Sequence, residues 1–159
     1  MDPEPHPDLA PLRFLLGTWL GGGEGEYPTI EPFAYGEEMT FEHVGEPFLL
    51  YAQRSWSADE GVPLHFERGF LRPGGPGRVE LTLAHPLGLS EVAEGSLDGT
   101  AFDVESGTVG RTPTGSSVAR VRRRYRIEGD VMTYEMDMEM DRVPMSRHLC
   151  ATLKRVAVP

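Results

Sequence analysis

Apolar and polar residues alternate with a period of two along most of this chain, as they do in strands with one buried face. Strand-like runs are Trp19 to Glu26, Glu37 to Val44, Phe48 to Trp56, Leu64 to Leu71 and Arg78 to Ala84. Further runs are Leu89 to Glu94, Ala101 to Gly107, Val118 to Glu128, Val131 to Met140 and Met145 to Arg155. Turn-forming connections separate them: Gly45-Glu46-Pro47, Pro73-Gly74-Gly75-Pro76-Gly77, Asp98-Gly99 and Glu128-Gly129-Asp130. The Asp-Gly pair predicts a two-residue type I′ hairpin. Short connections make successive strands antiparallel neighbours, and no helical segment is long enough for a parallel crossover. Roughly ten strands in up-and-down order must close or protect their edges, and closure removes the edges altogether. The pattern therefore predicts an all-β fold, a closed antiparallel up-and-down barrel of roughly ten strands, with a β-sandwich as the alternative. Residues 1–11 read as a flexible acidic, Pro-rich tail. Leu12-Arg13-Phe14-Leu15-Leu16 reads as one short helical turn that plugs a barrel end, so the barrel domain is expected over 12–159.

Composition narrows the function. At 159 residues the chain is long enough to enclose a cavity as well as a core. No run approaches the ~18 apolar residues of a membrane helix. The N-terminus is the opposite of a secretory signal, which makes the cytoplasm the expected location. A lone cysteine, Cys150, excludes an intramolecular disulfide and a Cys-based zinc site. The net charge of -10 argues against a nucleic-acid partner, which would need a surplus of Lys and Arg. One basic run departs from this balance. Arg120, Arg122, Arg124 and Arg126 share one face of a strand and Val121, Arg123 and Tyr125 the other, and the arginine face is expected to be solvated and paired with acidic neighbours.

Three stretches carry candidate chemistry. Met132, Tyr134, Met136, Met138 and Met140 alternate with Thr133, Glu135, Asp137 and Glu139, so a thioether face looks inward while the acidic face meets water. Such a stripe is either ordinary core or the lining of a cavity for a large flat ring system, because Met is flexible and favours aromatic surfaces. The last strand places His148 among Ser146, Cys150 and Thr152 by strict alternation, with Leu149, Ala151 and Leu153 on the opposite face. Either that polar side faces the lumen and the leucines meet a plug or a second subunit in a homodimer, or a bulge re-aims the histidine. The third stretch is Gly17-x-Trp19-x-Gly21-x-Gly23, whose missing side chains permit sharp curvature or close backbone approach. His65 and His85 sit at strand ends, where barrel mouths collect function; His43 reads as exposed and His6 lies in the tail. Neither H-E-x-x-H nor G-x-S-x-G occurs, which leaves multi-histidine zinc and serine catalysis without support.

Together, Phe14 through Ile30 with its Gly17-Thr18-Trp19-Leu20-Gly21-Gly22-Gly23 and Tyr27-Pro28-Thr29 resembles the nitrobindin signature. The similarity continues through Phe33-x-Tyr35-x-Glu37-Glu38 and Gly69-Phe70-Leu71-Arg72-Pro73 to His148-Leu149-x-Ala151-x-Leu153. The resemblance implies a ten-stranded barrel like those of fatty-acid-binding proteins, with one non-covalent haem b in its mouth. It implies that His148 is the axial iron ligand, that Thr29 lies at the haem edge, and that Met138 is an apolar pocket residue. It also implies that Leu64 and His65 lie above the haem and that His85 is a lumen position. Where the family often has a lysine near the strand beginning at Val118, this chain has Ser116, Ser117 and Ala119. The implied activity is reversible nitric oxide binding and isomerisation of peroxynitrite to nitrate by the ferric form. Two other classes stand beside it: a non-catalytic carrier of an apolar ligand, for which the methionines would be lining, and a haem or nitric oxide sensor acting through a separate partner.

Overall fold

A computed structural model describes residues 2–157. Ten strands form one closed antiparallel barrel: β1 (Gly17–Tyr27), β2 (Ile30–His43), β3 (Leu49–Ser57), β4 (Pro63–Pro73), β5 (Arg78–His85), β6 (Leu89–Asp98), β7 (Ala101–Arg111), β8 (Val118–Glu128), β9 (Val131–Met140) and β10 (Val143–Arg155). Each pairs with its successor, and β1 closes the ring against β10, from Trp19 opposite Arg155 to Gly25 opposite Leu149. Glycine makes that closure possible. A Cβ on Gly21 would collide with the carbonyl oxygen of Thr152, and one on Gly23 with that of Cys150. No helix among the described residues is long and apolar enough to cross a membrane.

Up-and-down order sends odd strands away from one end and even strands back to it. Trp19, Leu49, Val79 and Met132 near strand starts, and Leu71 and Leu153 near strand ends, therefore meet at a single end, where all are fully buried. A 3-10 helix over Pro7–Leu15 plugs this end with Leu9, Leu12 and Leu15, again fully buried. The plug thus starts at Pro7 and not at Leu12, and Leu9 belongs to the core, which corrects the expectation of a tail running to Pro11. Trp19 anchors the plug: its Nε1 donates to the Leu15 carbonyl at 2.8 Å, and the Arg155 guanidinium lies 4.1 Å over its ring. Arg155 also donates to the carbonyls of Leu16 and Phe14, groups that a helix C-terminus leaves unpaired. Full burial of each large apolar side chain here contributes about 1.5–3 kcal/mol.

On the outer arginine face three of the four arginines pair as expected, and Arg126 is exposed. Arg120 pairs with Glu105 and Glu139, Arg122 with Glu105, and Arg124 with Glu135 and Asp137. The hairpin after β6 differs from expectation. Its two-residue loop is Gly99-Thr100, and among the described residues Arg142 alone of the non-glycines has positive φ. Type I′ needs positive φ at both central residues, which β-branched Thr100 resists, so only Gly99 turns, at φ 58°.

Candidate functional site

The end opposite the plug is an open mouth, and the same alternation of strand direction assembles it. A cavity of about 380 Å³ opens there, lined by residues from the ends of β3, β5 and β9 and the starts of β2, β4, β6, β8 and β10. Its upper wall is apolar: Phe33, Leu64, Leu87, Val118, Met136, Met138, Met140 and Leu149. Its floor is polar and charged, with Glu37, Gln53, His65, Glu67, His85, Glu91 and Arg123 beside Tyr51 and Tyr134.

His148 enters through a bulge. In the β9–β10 pairing Arg147 faces Asp137 and Leu149 faces Met136, one step apart on β9 but two on β10. His148 is the extra residue, and both it and Leu149 line the cavity. Of the two arrangements open from the sequence, the bulge is the one that forms. Ala151 and Leu153 are buried, so the leucine face of β10 is interior and offers no exposed leucine for a subunit face. The imidazole is fixed from one side. Its Nδ1–H donates to the Glu26 carbonyl at 3.0 Å, and its edge meets the rings of Tyr27 and Phe33 at 5.5 and 6.5 Å. Tyr27 is pinned by its hydroxyl on the Met138 carbonyl at 3.1 Å, and Phe33 fills the space left by the absent side chain of Gly25. With Nδ1 committed to a carbonyl, Nε2 carries the lone pair, the tautomer that a metal ligand requires. Burial lowers the His148 pKa, against the opposing Glu26 bond, which favours this neutral form.

These features fit a haem. A half-buried neutral imidazole with one free nitrogen, beside a wall of three methionines, suits a flat apolar macrocycle with iron at its centre. Met138, Leu64, His65 and His85 all line the cavity. Leu64 lies at its rim, while His85 is almost wholly buried. Thr29 does not line it: the residue is exposed on the turn between β1 and β2, two positions beyond Tyr27. Among the serines standing where the family often has lysine, Ser116 reaches the cavity. His43 is half-buried, not exposed, with its Nδ1 unpartnered.

Sequence reasoning named His65 and His85 but missed the floor's carboxylates and the Arg123 that holds them. Arg123 donates to both oxygens of Glu91 at 2.9 Å and to Glu67 at 3.5 Å. His85 Nε2 lies 2.6 Å from Glu91, and the Tyr51 hydroxyl donates to Glu67 at 2.7 Å. Burial opposes ionisation of Glu91, but Arg123 and His85 overcome it and hold the carboxyl at about 2; Arg123 likewise keeps Glu67 well below the usual range against its own burial. Glu37 has no cation. Burial pushes it up to about 7 against hydrogen bonds from Tyr134, whose hydroxyl is 2.5 Å away, and Gln53. The signal was parity: Glu37 alternates with Tyr35 and Met39, Glu67 with Leu71, Glu91 with Leu89 and Ala93, and Arg123 with Val121 and Tyr125, all inward-facing sets.

The chain resembles characterised proteins over nearly its whole length. The family model described as "THAP4-like, heme-binding beta-barrel domain" matches residues 8–155. "Peroxynitrite isomerase 2" of Mycobacterium avium is 49% identical over 154 residues, covering 94% of this chain and 96% of that protein. "Peroxynitrite isomerase" of Nocardia farcinica is 47% identical over 162 residues, covering 97% and 96% respectively. The crystal structure of Rv2717c from M. tuberculosis superposes with a TM-score of 0.90 at 42% identity, covering 97% of this chain and 100% of that one. By family match, by identity and by a mouth that presents a free histidine nitrogen beneath apolar walls, this chain belongs to the THAP4-like haem-binding β-barrel family, the nitrobindin-type barrel that its opening glycines and closing histidine resemble.

Proposed function

We propose that this protein is a haem-b peroxynitrite isomerase that also binds nitric oxide, with His148 as the axial ligand. The observation that carries the reading is the His148 imidazole, fixed through Nδ1 by the Glu26 carbonyl so that Nε2 is free at the cavity wall. Relatives named peroxynitrite isomerase at 47–49% identity support the reaction assigned. Haem b, held by His148 against the methionine wall, would supply a Lewis-acidic ferric iron for the isomerisation of peroxynitrite to nitrate.

The protein's own groups have simpler tasks. His148 holds the cofactor, and Tyr27 and Phe33 keep the imidazole from rotating. Met136, Met138, Met140 and Leu149 line the cavity wall and would pack against the macrocycle and keep water from it. Leu64 and Leu87 line the rim by which a small anion would enter, and Thr29, which the family resemblance puts at the haem edge, is exposed on the turn between β1 and β2. His65, about one-third exposed, faces the cavity that an anion would enter.

Titration with hemin tests this. Wild type is expected to give a saturable, shifted Soret band and catalysed decay of peroxynitrite to nitrate. His148→Ala is expected to lose both while its unfolding midpoint stays within a few degrees. A Soret shift indifferent to His148 would sink the proposal. It would favour a carrier of apolar ligands, the reading that the methionine wall alone supports.

A further inference from the structure

Below the apolar wall, three side chains from β4 and β5 converge on one point. His65 Nε2 is 3.2 Å from Glu67 Oε2 and 3.2 Å from His85 Nδ1, and His85 Nδ1 is 3.3 Å from Glu67 Oε2. The three atoms form a nearly equilateral triangle. A first-row divalent ion with bonds of about 2.1 Å at angles between octahedral and tetrahedral spans donor–donor edges of about 3.0–3.4 Å. All three edges fall in that range, so the spacing of the donors matches that of an ion held over one face of the triangle.

The surrounding groups are those of a ligand set. His85 Nε2 is 2.6 Å from Glu91 Oε2, so in the tautomer whose Nε2–H donates to that carboxylate the Nδ1 lone pair turns toward the triangle. Glu91 is itself held by both arms of Arg123, and the second oxygen of Glu67 is held by Tyr51. Two of the three donors are therefore oriented from behind. Without an ion, a neutral His85 Nδ1 has, among the described residues, only the His65 Nε2 proton to accept, and it shares that proton with a Glu67 oxygen that also accepts from Arg123 at 3.5 Å. The Arg123 guanidinium, 3.5 Å from Glu67, is neutralised by its bidentate Glu91 partner and leaves the cluster of two carboxylates and one guanidinium with a single negative charge.

We infer that His65, Glu67 and His85 form a second metal site, a two-histidine, one-carboxylate set for a divalent first-row transition ion, with its open positions facing the cavity. The site lines the same cavity as His148 but shares no ligand with it, and it does not rest on the haem reading. It would place a second cation in the chamber that receives a small anion.

The test is titration of the full chain with Co(II), read by its visible d–d bands, and with Zn(II) by calorimetry, with and without hemin. One ion per chain is expected. His65→Gln and His85→Gln are each expected to weaken binding at least tenfold, while His148→Ala leaves it within twofold. Unfolding midpoints of the variants verify that they fold; His65→Gln changes a partly exposed side chain and serves as the primary variant. Absence of Co(II) binding, affinity within twofold of wild type in folded His65→Gln, or loss in His148→Ala would each overturn the site. Co(II) binding without any Soret band would leave it standing and remove only the haem proposal.

Discussion

The two ends of this barrel are built from the same ten strands yet solve opposite problems. At the plugged end, Trp19, Leu49, Leu71, Val79, Met132 and Leu153 close over Leu9, Leu12 and Leu15 with no exposed surface. At the open end the interior positions hold Glu37, Glu67, Glu91, Arg123, His65 and His85. Apolar packing is non-directional and nearly indifferent to pH. The polar floor depends on each partner being present, because an unpaired buried charge is far more costly than a paired one is stabilising. The closed end thus supplies the stability that lets the mouth keep groups poised for ligands.

Arg123→Met is the largest expected disturbance of that contrast. It strands Glu67 and Glu91 and is expected to cost about 3–5 kcal/mol at pH 7 by chemical denaturation. In wild type both carboxyls are depressed below their unfolded values, so their stabilisation is present above about pH 4.5 and is lost as pH falls toward about 2. In the variant His65 and His85 oppose burial without the guanidinium, so the depression of both carboxyls shrinks and the slope between about pH 2 and pH 4.5 flattens. An unchanged slope would mean that the floor is not an electrostatic unit.

Trp19→Ala is expected to cost a comparable or slightly smaller amount, about 3–5 kcal/mol, with the loss the same at pH 5 and pH 8. Hemin affinity should stay close to wild type, since the residue is at the far end. A pH-dependent loss would break the distinction between the two ends.

Glu37→Gln sharpens the comparison at a smaller scale. Its folded pKa of about 7 lies above the unfolded value, so its contribution is fully present below about pH 4.5 and is lost as pH rises through 7. The neutral variant removes that dependence and is expected to be more stable than wild type at pH 8, by up to about 3 kcal/mol, with little difference at pH 4.5. Smallest of all, Arg120→Ala breaks surface pairs with Glu105 and Glu139 and should change stability by less than about 1 kcal/mol.

Much of this arrangement was legible before any coordinates. Period-two alternation, turn residues and the β1 glycines contain the barrel, because side-chain parity and chain reversal are local properties. The methionine stripe of β9 and the arginine face of β8 likewise follow from parity alone. Four features did not follow. The bulge at His148 depends on how β10 registers against β9, a pairing between strands that strand parity alone leaves open. The start of the plug at Pro7 depends on the barrel end that buries Leu9. The triangle of His65, Glu67 and His85 depends on the pairing of β4 with β5, which brings together two residues twenty positions apart. The pairing of Arg123 with Glu91 reaches past β7 between strands that are not neighbours. Sequence by itself determined which side chains face inward, because alternation is written residue by residue. Only the tertiary structure decided which of them meet, because closing the barrel sets distances between strands that no local pattern encodes.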